Sequence, residues 1–208
     1  MRFERDGKVN GTAHGTIVSP MGKLIYSTNT SLDGFIEDED GNIDFGVPDP
    51  ELFTFINDLE RGTDTVLYGR LTYETMVYWE TEGSSEDDSP FERDFAAKWR
   101  SQDKIVYSTT LEHVSSARTT IERSFVPDAI RALKKSASGD LSISGPHLAS
   151  QAIEAGLVDE MHLFVVPVTL GGGKAAHPGK ERTDITLLDV RRFDGGTVHL
   201  HYRFNNAE

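Results

Sequence analysis

Thr65-Val66-Leu67-Tyr68-Gly69-Arg70-Leu71-Thr72-Tyr73-Glu74 is the stretch on which the reading of this chain turns. An apolar run of strand length meets Gly-Arg, and a helix-type segment opens behind it. Gly69 carries no Cβ, so a ligand can come close to the backbone there. The first turn of the following helix offers N–H groups with no intrahelical partner, which suit an anion. Arg70 adds a planar cationic fork matched to phosphate. By itself the segment equally suits a tight turn followed by a surface arginine.

The same pattern recurs at two further strand ends. Leu141-Ser142-Ile143-Ser144-Gly145-Pro146-His147 runs from a strand through Ser-Gly into a helix, and Lys104–Ser108 ends in the hydroxyl run Ser108-Thr109-Thr110. Either one alone reads as a capped loop. Taken together, the three ends predict an extended, multiply phosphorylated ligand along the carboxyl edge of a parallel sheet, where open α/β sheets bind their ligands. Two other phosphate motifs are missing. No G-x-G-x-x-G is present. Gly171-Gly172-Gly173-Lys174 leads to Gly179-Lys180, but five residues separate Gly173 from Gly179 where a P-loop has four. Glu181 also stands where the magnesium-binding Ser or Thr belongs. Residues 170–180 therefore read as a flexible glycine loop.

Further buried strands are predicted over Lys23–Ser27 and Met161–Val168. Between the strands lie amphipathic segments. Pro50–Glu60 is the clearest: Asp49 can cap it, Pro50 suits its first turn, and Leu52, Phe55, Ile56 and Leu59 fall on one face. Helices are also predicted over Ala129–Ala137 and His147–Ala155. The chain ends in an alternating pattern, with Ile185–Phe193 and Thr197–Phe204 joined by Asp194-Gly195-Gly196, which reads as an antiparallel hairpin. Gly83–Pro90 is polar and acidic and reads as a mobile surface loop. The expected architecture is α/β: a mostly parallel central sheet flanked by helices and closed by a C-terminal antiparallel hairpin.

Composition sets the outer bounds. The chain has 208 residues, 37% hydrophobic and 26% charged, which suits one soluble domain with a substantial core. No apolar run approaches the roughly 20 residues of a membrane span. With 34 acids against 21 bases the net charge is −13, which argues against nucleic-acid partners. No cysteine is present, so disulfides and thiolate metal sites are excluded; this fits a cytoplasmic location. Residues 1–22 do not read as a secretory signal and are expected to form a leader or arm outside a domain spanning 23–208.

The first strand leads into the polar loop Ser27–Gly34, with Asp33-Gly34 as a turn. At this point a resemblance is visible. Ser31-Leu32-Asp33-Gly34-Phe35-Ile36, Leu67 to Glu74, Ser144-Gly145-Pro146 and Asp159-Glu160-Met161-His162-Leu163 occur in the order and spacing of the dihydrofolate-reductase-like superfamily. Within it, the run Val166-Pro167-Val168-Thr169-Leu170-Gly171-Gly172-Gly173 resembles the branch of the riboflavin-biosynthesis deaminase/reductase C-terminal domain. The likeness covers about Lys23 to Phe204, and with the Cys and His ligands of the branch's zinc deaminase missing from this sequence, a stand-alone domain is expected.

The resemblance implies a three-layer fold and an NADPH-dependent reductase acting on a small heterocyclic substrate. The substrate options are the ribosylamino-pyrimidine of riboflavin biosynthesis, dihydrofolate, or another pterin-like ring. A non-catalytic NADPH-binding module is the alternative. Carried over, Gly69, Arg70 and Thr72 would meet the phosphates, Ser108 and Thr109 the 2′-phosphate, and Ser144, Gly145, Pro146, His147 and Leu148 the pyrophosphate. Asn29, Asp33, Gly34 and Ile36 would lie at the nicotinamide end. Asp33 and Glu51 are the rival acids for the substrate; each also suits a plain structural role, Asp33 as a turn former and Glu51 in a helix's first turn. The branch implies a homodimer, with Thr197–Phe204 and Val165–Val168 as candidate interface segments. His199 and His201 share a strand face, but no third ligand lies near in sequence. An exposed strand face and no metal are expected.

Overall fold

The computed structural model describes residues 21–82, 85, 87–179 and 182–206. The leader through residue 20 lies outside the described residues, as do Gly83, Ser84 and Glu86 of the polar loop. Gly22 already belongs to the fold, since its N–H donates to Lys134 O at 3.0 Å.

One eight-stranded sheet forms the middle layer. From one edge its strands are β5 (Thr119–Glu122), β4 (Asp103–Tyr107), β3 (Thr63–Gly69), β6 (Asp140–Ser144), β1 (Leu24–Thr30), β7 (Glu160–Val165), β10 (Val198–Phe204) and β9 (Ile185–Arg192). The strands from β5 to β7 run parallel. β10 is antiparallel to both its neighbours. A separate two-stranded piece pairs β2 (Phe35–Glu37) with β8 (Lys174–Ala175).

The core follows from strand alternation. Leu24, Tyr26, Leu67, Leu141, Ile143 and Met161 share one face and pack under α4 (Pro127–Ser136) and α5 (Pro146–Glu154). On the other face Phe164 meets Leu52 of α1 (Pro50–Glu60) and Phe193. α3 (Pro90–Ser101) lies beside α1, with Phe53 against Phe91 and Phe95. This is the three-layer α/β architecture expected.

α1 occupies the residues its pattern predicts. Asp49 Oδ1 accepts from Leu52 N at 2.8 Å, and the apolar stripe packs on Phe164 and Phe193. Burying Leu52 contributes about 1.5–3 kcal/mol. α3 was not anticipated, although Ser89, Pro90 and Glu92 form a complete capping box at its start. Its carboxyl end is held by Lys104 from β4, whose buried ammonium donates to Trp99 O and Gln102 O at 2.9 Å each. A cation there complements the helix dipole.

Three expectations need correction. β7 stops at Val165 rather than Val168, because Pro167 has no N–H to extend a ladder. Residues 170–180 are not a free loop in their first half. Lys174–Ala175 pairs with β2, and a Cβ built on Gly173 (φ +128°) would stand 1.9 Å from Glu37 O. Lys180 and Glu181 lie outside the described residues. The polar face of β10 is not wholly exposed: Arg203 is exposed and His201 half-buried, but His199 is buried against Phe164 and against Phe55 of α1, which covers that end of the face.

Candidate active site

The carboxyl ends of β1, β3 and β6 open on one cleft of about 920 Å³. Two strand–glycine–helix turns form its floor. Gly69 caps α2 (Arg70–Met76), and Gly145 precedes α5 with φ +96°, a conformation suited to glycine. The turns touch, since a Cβ on Gly145 would stand 2.9 Å from Thr72 Oγ1. A Cβ on Gly69 would meet nothing within 4 Å, so this backbone faces open space. Pro146 occupies the first turn of α5, where a missing N–H costs nothing.

Of the residues singled out from sequence, the cleft brings together Asn29, Ile36, Gly69, Arg70, Thr72, Ser144, Gly145, Pro146, His147 and Leu148. Asn29 Nδ2 donates to Gly46 O at 2.7 Å, tying the strand end to the wall segment 41–47. Arg70 forms a two-pronged contact with Glu74, Nη1 lying 2.9 and 2.8 Å from its two oxygens.

The other predicted residues stand outside the lining. Ser108 Oγ accepts from Thr110 N and Leu111 N, so it is engaged in its own turn; Thr109 is exposed. Tyr107, one residue earlier, lines the cleft instead. Asp33 accepts from Leu170 N at 3.1 Å and Gly171 N at 2.7 Å. Hydrogen bonds from Ser31 first, then Gly171 and Leu170, hold its carboxyl down at about 2. Gly34 O accepts from Ala176 N in the same joint. Glu51 is at the antiparallel end, 3.0 Å from Arg191 Nη2 and accepting from Asp194 N.

Phe45, an aromatic that suits a site wall by its sequence position, lines the cleft, while its neighbours and Lys174 escaped the sequence reading. Gly41 to Val47 supply a wall, and Lys174 reaches the cleft paired with Glu37 at 2.5 Å. Their one signal was the glycine run itself, since Gly173 permits the β2–β8 approach that carries Lys174 there.

A smaller cavity of about 230 Å³ lies behind the cleft, sharing Ser27, Thr28, Asn29, Thr72, Met76 and Ser144 with it. Its lining includes Tyr68, Trp99, Gln102 and Glu60. Burial pushes the Glu60 carboxyl up, against the hydrogen bond from Gln102. It likewise raises the phenol of Tyr68, whose oxygen accepts from Trp99 Nε1 at 3.2 Å.

The paired glycine turns face one cleft at the carboxyl edge of a parallel sheet, the place where open α/β proteins bind their ligands. The comparisons identify its class. Residues 22–199 match the RibD C-terminal domain model, and the chain belongs to that family, within the dihydrofolate-reductase-like superfamily. The uncharacterized protein YyaP of Bacillus subtilis (strain 168) is 30% identical over 187 residues, covering 88% of this chain and 95% of that one. Among solved structures, a putative riboflavin biosynthesis protein from Shewanella sp. PV-4 superposes with a TM-score of 0.68 at 22% identity, over 88% of this chain and 99% of its own. A bifunctional diaminohydroxyphosphoribosylaminopyrimidine deaminase/5-amino-6-(5-phosphoribosylamino)uracil reductase from Thermotoga maritima gives 0.63 at 15% identity, over 88% of this chain and 57% of that one. No helix among the described residues is long and apolar enough to cross a membrane.

Proposed function

We propose that this chain is an NADPH-dependent reductase that hands hydride to a small nitrogen heterocycle of pyrimidine or pterin type. The observation that carries the reading is the contact between the two glycine turns at Gly69 and Gly145. They set two helix starts side by side along one cleft, in a family defined by a reductase domain. Gly69, Arg70 and Thr72 would hold one phosphate group and Ser144 to Leu148 the next, with Asn29 and Ile36 toward the nicotinamide. The fit is favourable: Gly69 faces open space, and the Gly145 conformation leaves no side chain in the way. The bound cofactor supplies the hydride. Arg70 releases Glu74 to do its part; an exposed i,i+4 pair contributes only about 0.3–0.5 kcal/mol.

Reduction of this kind also consumes a proton. Neither Asp33 nor Glu51 lines the cleft. Glu60, whose carboxyl is pushed up by burial at the rear cavity, is the acid this reading assigns to proton supply, across the hydroxyls of Ser27, Thr28 and Ser144. Asp33 acts through structure, clasping the strand-loop that brings Lys174 to the cleft.

A homodimer goes with the proposal. Beside the interior β10 lies the edge strand β9, one of the two sheet edges, and it exposes Ile185, Leu187, Leu188 and Val190. A long apolar edge left open invites unwanted pairing unless it is covered. Val190→Lys should shift the dimer to monomer in light scattering; an unchanged mass removes this edge from the interface.

The test of the function is cofactor binding followed by melting. NADPH should raise the midpoint more than NADH, because binding to the folded state stabilises it by mass action. No shift with either cofactor defeats the reading. NADPH oxidation across a panel of pyrimidines and pterins then separates an enzyme from a binding module.

A further inference from the structure

We propose that Glu160, His162 and His201 form a binding site for one divalent transition-metal ion of the zinc type, on the antiparallel half of the sheet. The site arises from strand register. His162 of β7 stands directly opposite His201 of β10, and Glu160 lies two residues back on the same face of β7. One ligand atom from each of the three lies within 4.8 Å of the other two. His201 Nε2 and Glu160 Oε2 are already 3.1 Å apart. Zinc with nitrogen and oxygen ligands near 2.0–2.1 Å needs ligand atoms about 3.4 Å from one another. The remaining closure requires the His201 ring to turn out of its present stack on His162, in which the centroids are 4.2 Å apart. His201 has room to do so, its side chain being 22% exposed.

The tautomers favour the same outcome. His162 Nδ1 and His199 Nε2 are 2.8 Å apart and share one proton. The buried Nδ1 of His199 has no hydrogen-bond partner. The His199 proton is placed here on Nδ1, beside the Phe55 ring whose centroid is 5.0 Å away at 63°. A proton on His199 Nδ1 leaves its Nε2 as the acceptor. His162 Nδ1 is then the donor, and His162 Nε2 keeps a free lone pair. A metal-bound histidine held by a hydrogen bond on its other nitrogen has this arrangement. Lys23 binds the other carboxylate oxygen, Oε1, at 2.8 Å, which leaves Oε2 for the ion. Two imidazoles and one carboxylate leave a coordination position for water, as in open zinc sites.

The test is a zinc titration of the purified full chain after chelator treatment, followed by calorimetry, with cobalt as a spectroscopic substitute. One equivalent should bind, with the visible cobalt bands of a four-coordinate nitrogen and oxygen site. His201→Ala and Glu160→Gln should abolish binding, with folding checked by circular dichroism. His199→Phe, which removes only the outer hydrogen bond, should weaken affinity about 10–100-fold. Lys23→Met, at a half-exposed position, should tighten binding, because it removes a competing cation. Absence of stoichiometric binding at micromolar metal overturns the proposal. So does binding retained in a folded His201→Ala variant, which would place the ion on other histidines.

Discussion

The two halves of the sheet use the same backbone for opposite ends. In the parallel half, β1, β3 and β6 are covered by helices on both faces and run out into glycine turns, so their carboxyl edge is left open for a ligand. In the antiparallel half, the space on the α1 side of β7 and β10 is filled by rings and charges. His199 stacks on Phe164, His162 on His201, and Glu160 holds Lys23 and His201. The difference teaches where binding free energy can be found. Missing side chains leave a cleft open, while among the described residues the rings and charges of the packed half meet their polar needs except at His199 Nδ1.

The sharpest way to break this contrast is to add a side chain at the separate β2–β8 pair that walls the cleft. Gly173→Ala places a Cβ on Glu37 O at a positive φ and should separate β8 from β2. A loss of about 1–3 kcal/mol in urea unfolding, with weaker cofactor binding, is expected. Unchanged stability would mean that the β2–β8 pair does not hold the cleft wall.

Next in size is the pH response of the antiparallel half, measured with chelator present. Burial first, then neighbouring histidines, lowers His162 and His199 to about 4. The unfolded chain therefore binds more protons than the folded one between about pH 6.5 and pH 4. Stability is full above this window, falls by a few kcal/mol as pH drops through it, and levels off below. His162→Leu should flatten that slope; a slope left intact assigns it elsewhere.

At the cleft, Arg70→Ala should reduce the preference for NADPH over NADH about tenfold, one charge-assisted phosphate contact being worth roughly 1.4 kcal/mol. Equal selectivity in the variant removes Arg70 from the phosphates. Glu60→Gln should lower turnover while leaving the NADPH-induced melting shift in place, since it lies in the rear cavity. Full turnover in the variant would end its role as the proton source. The smallest effect belongs to Glu51→Gln. Its ion pair with Arg191 is exposed, and the loss should stay within about 1 kcal/mol with cofactor binding unaffected.

What could be read ahead of the structure had short-range causes. The α1 bounds followed from Asp49, Pro50 and a stripe at helical spacing, all local. The two glycine turns were legible because strand, glycine and helix follow one another directly in the chain. α3 carries an equally local signal in the Ser89 and Glu92 capping box. Lys174 carried little beyond the glycine run, because its place in the cleft depends on a pairing between β2 and β8 across more than a hundred residues of chain, and Tyr107 reaches the cleft through the register of β4 on β3.

The acids show the same division. Asp33 and Glu51 are acidic at plausible points of the sequence, yet Asp33 turns to the amides of Leu170 and Gly171, and Glu51 to Arg191. Glu60 gave no sign, because its proton affinity comes from burial beside Gln102, which no local pattern encodes. Sequence alone determined the α/β class, the run of helices and strands and the two phosphate-type turns, since propensity, capping and glycine conformation act within a few residues. Tertiary structure decided which side chains share the cleft, which acid is buried, and that Glu160 and His162 join His201. Those outcomes depend on strand order and register, which bring distant residues within ångströms of one another.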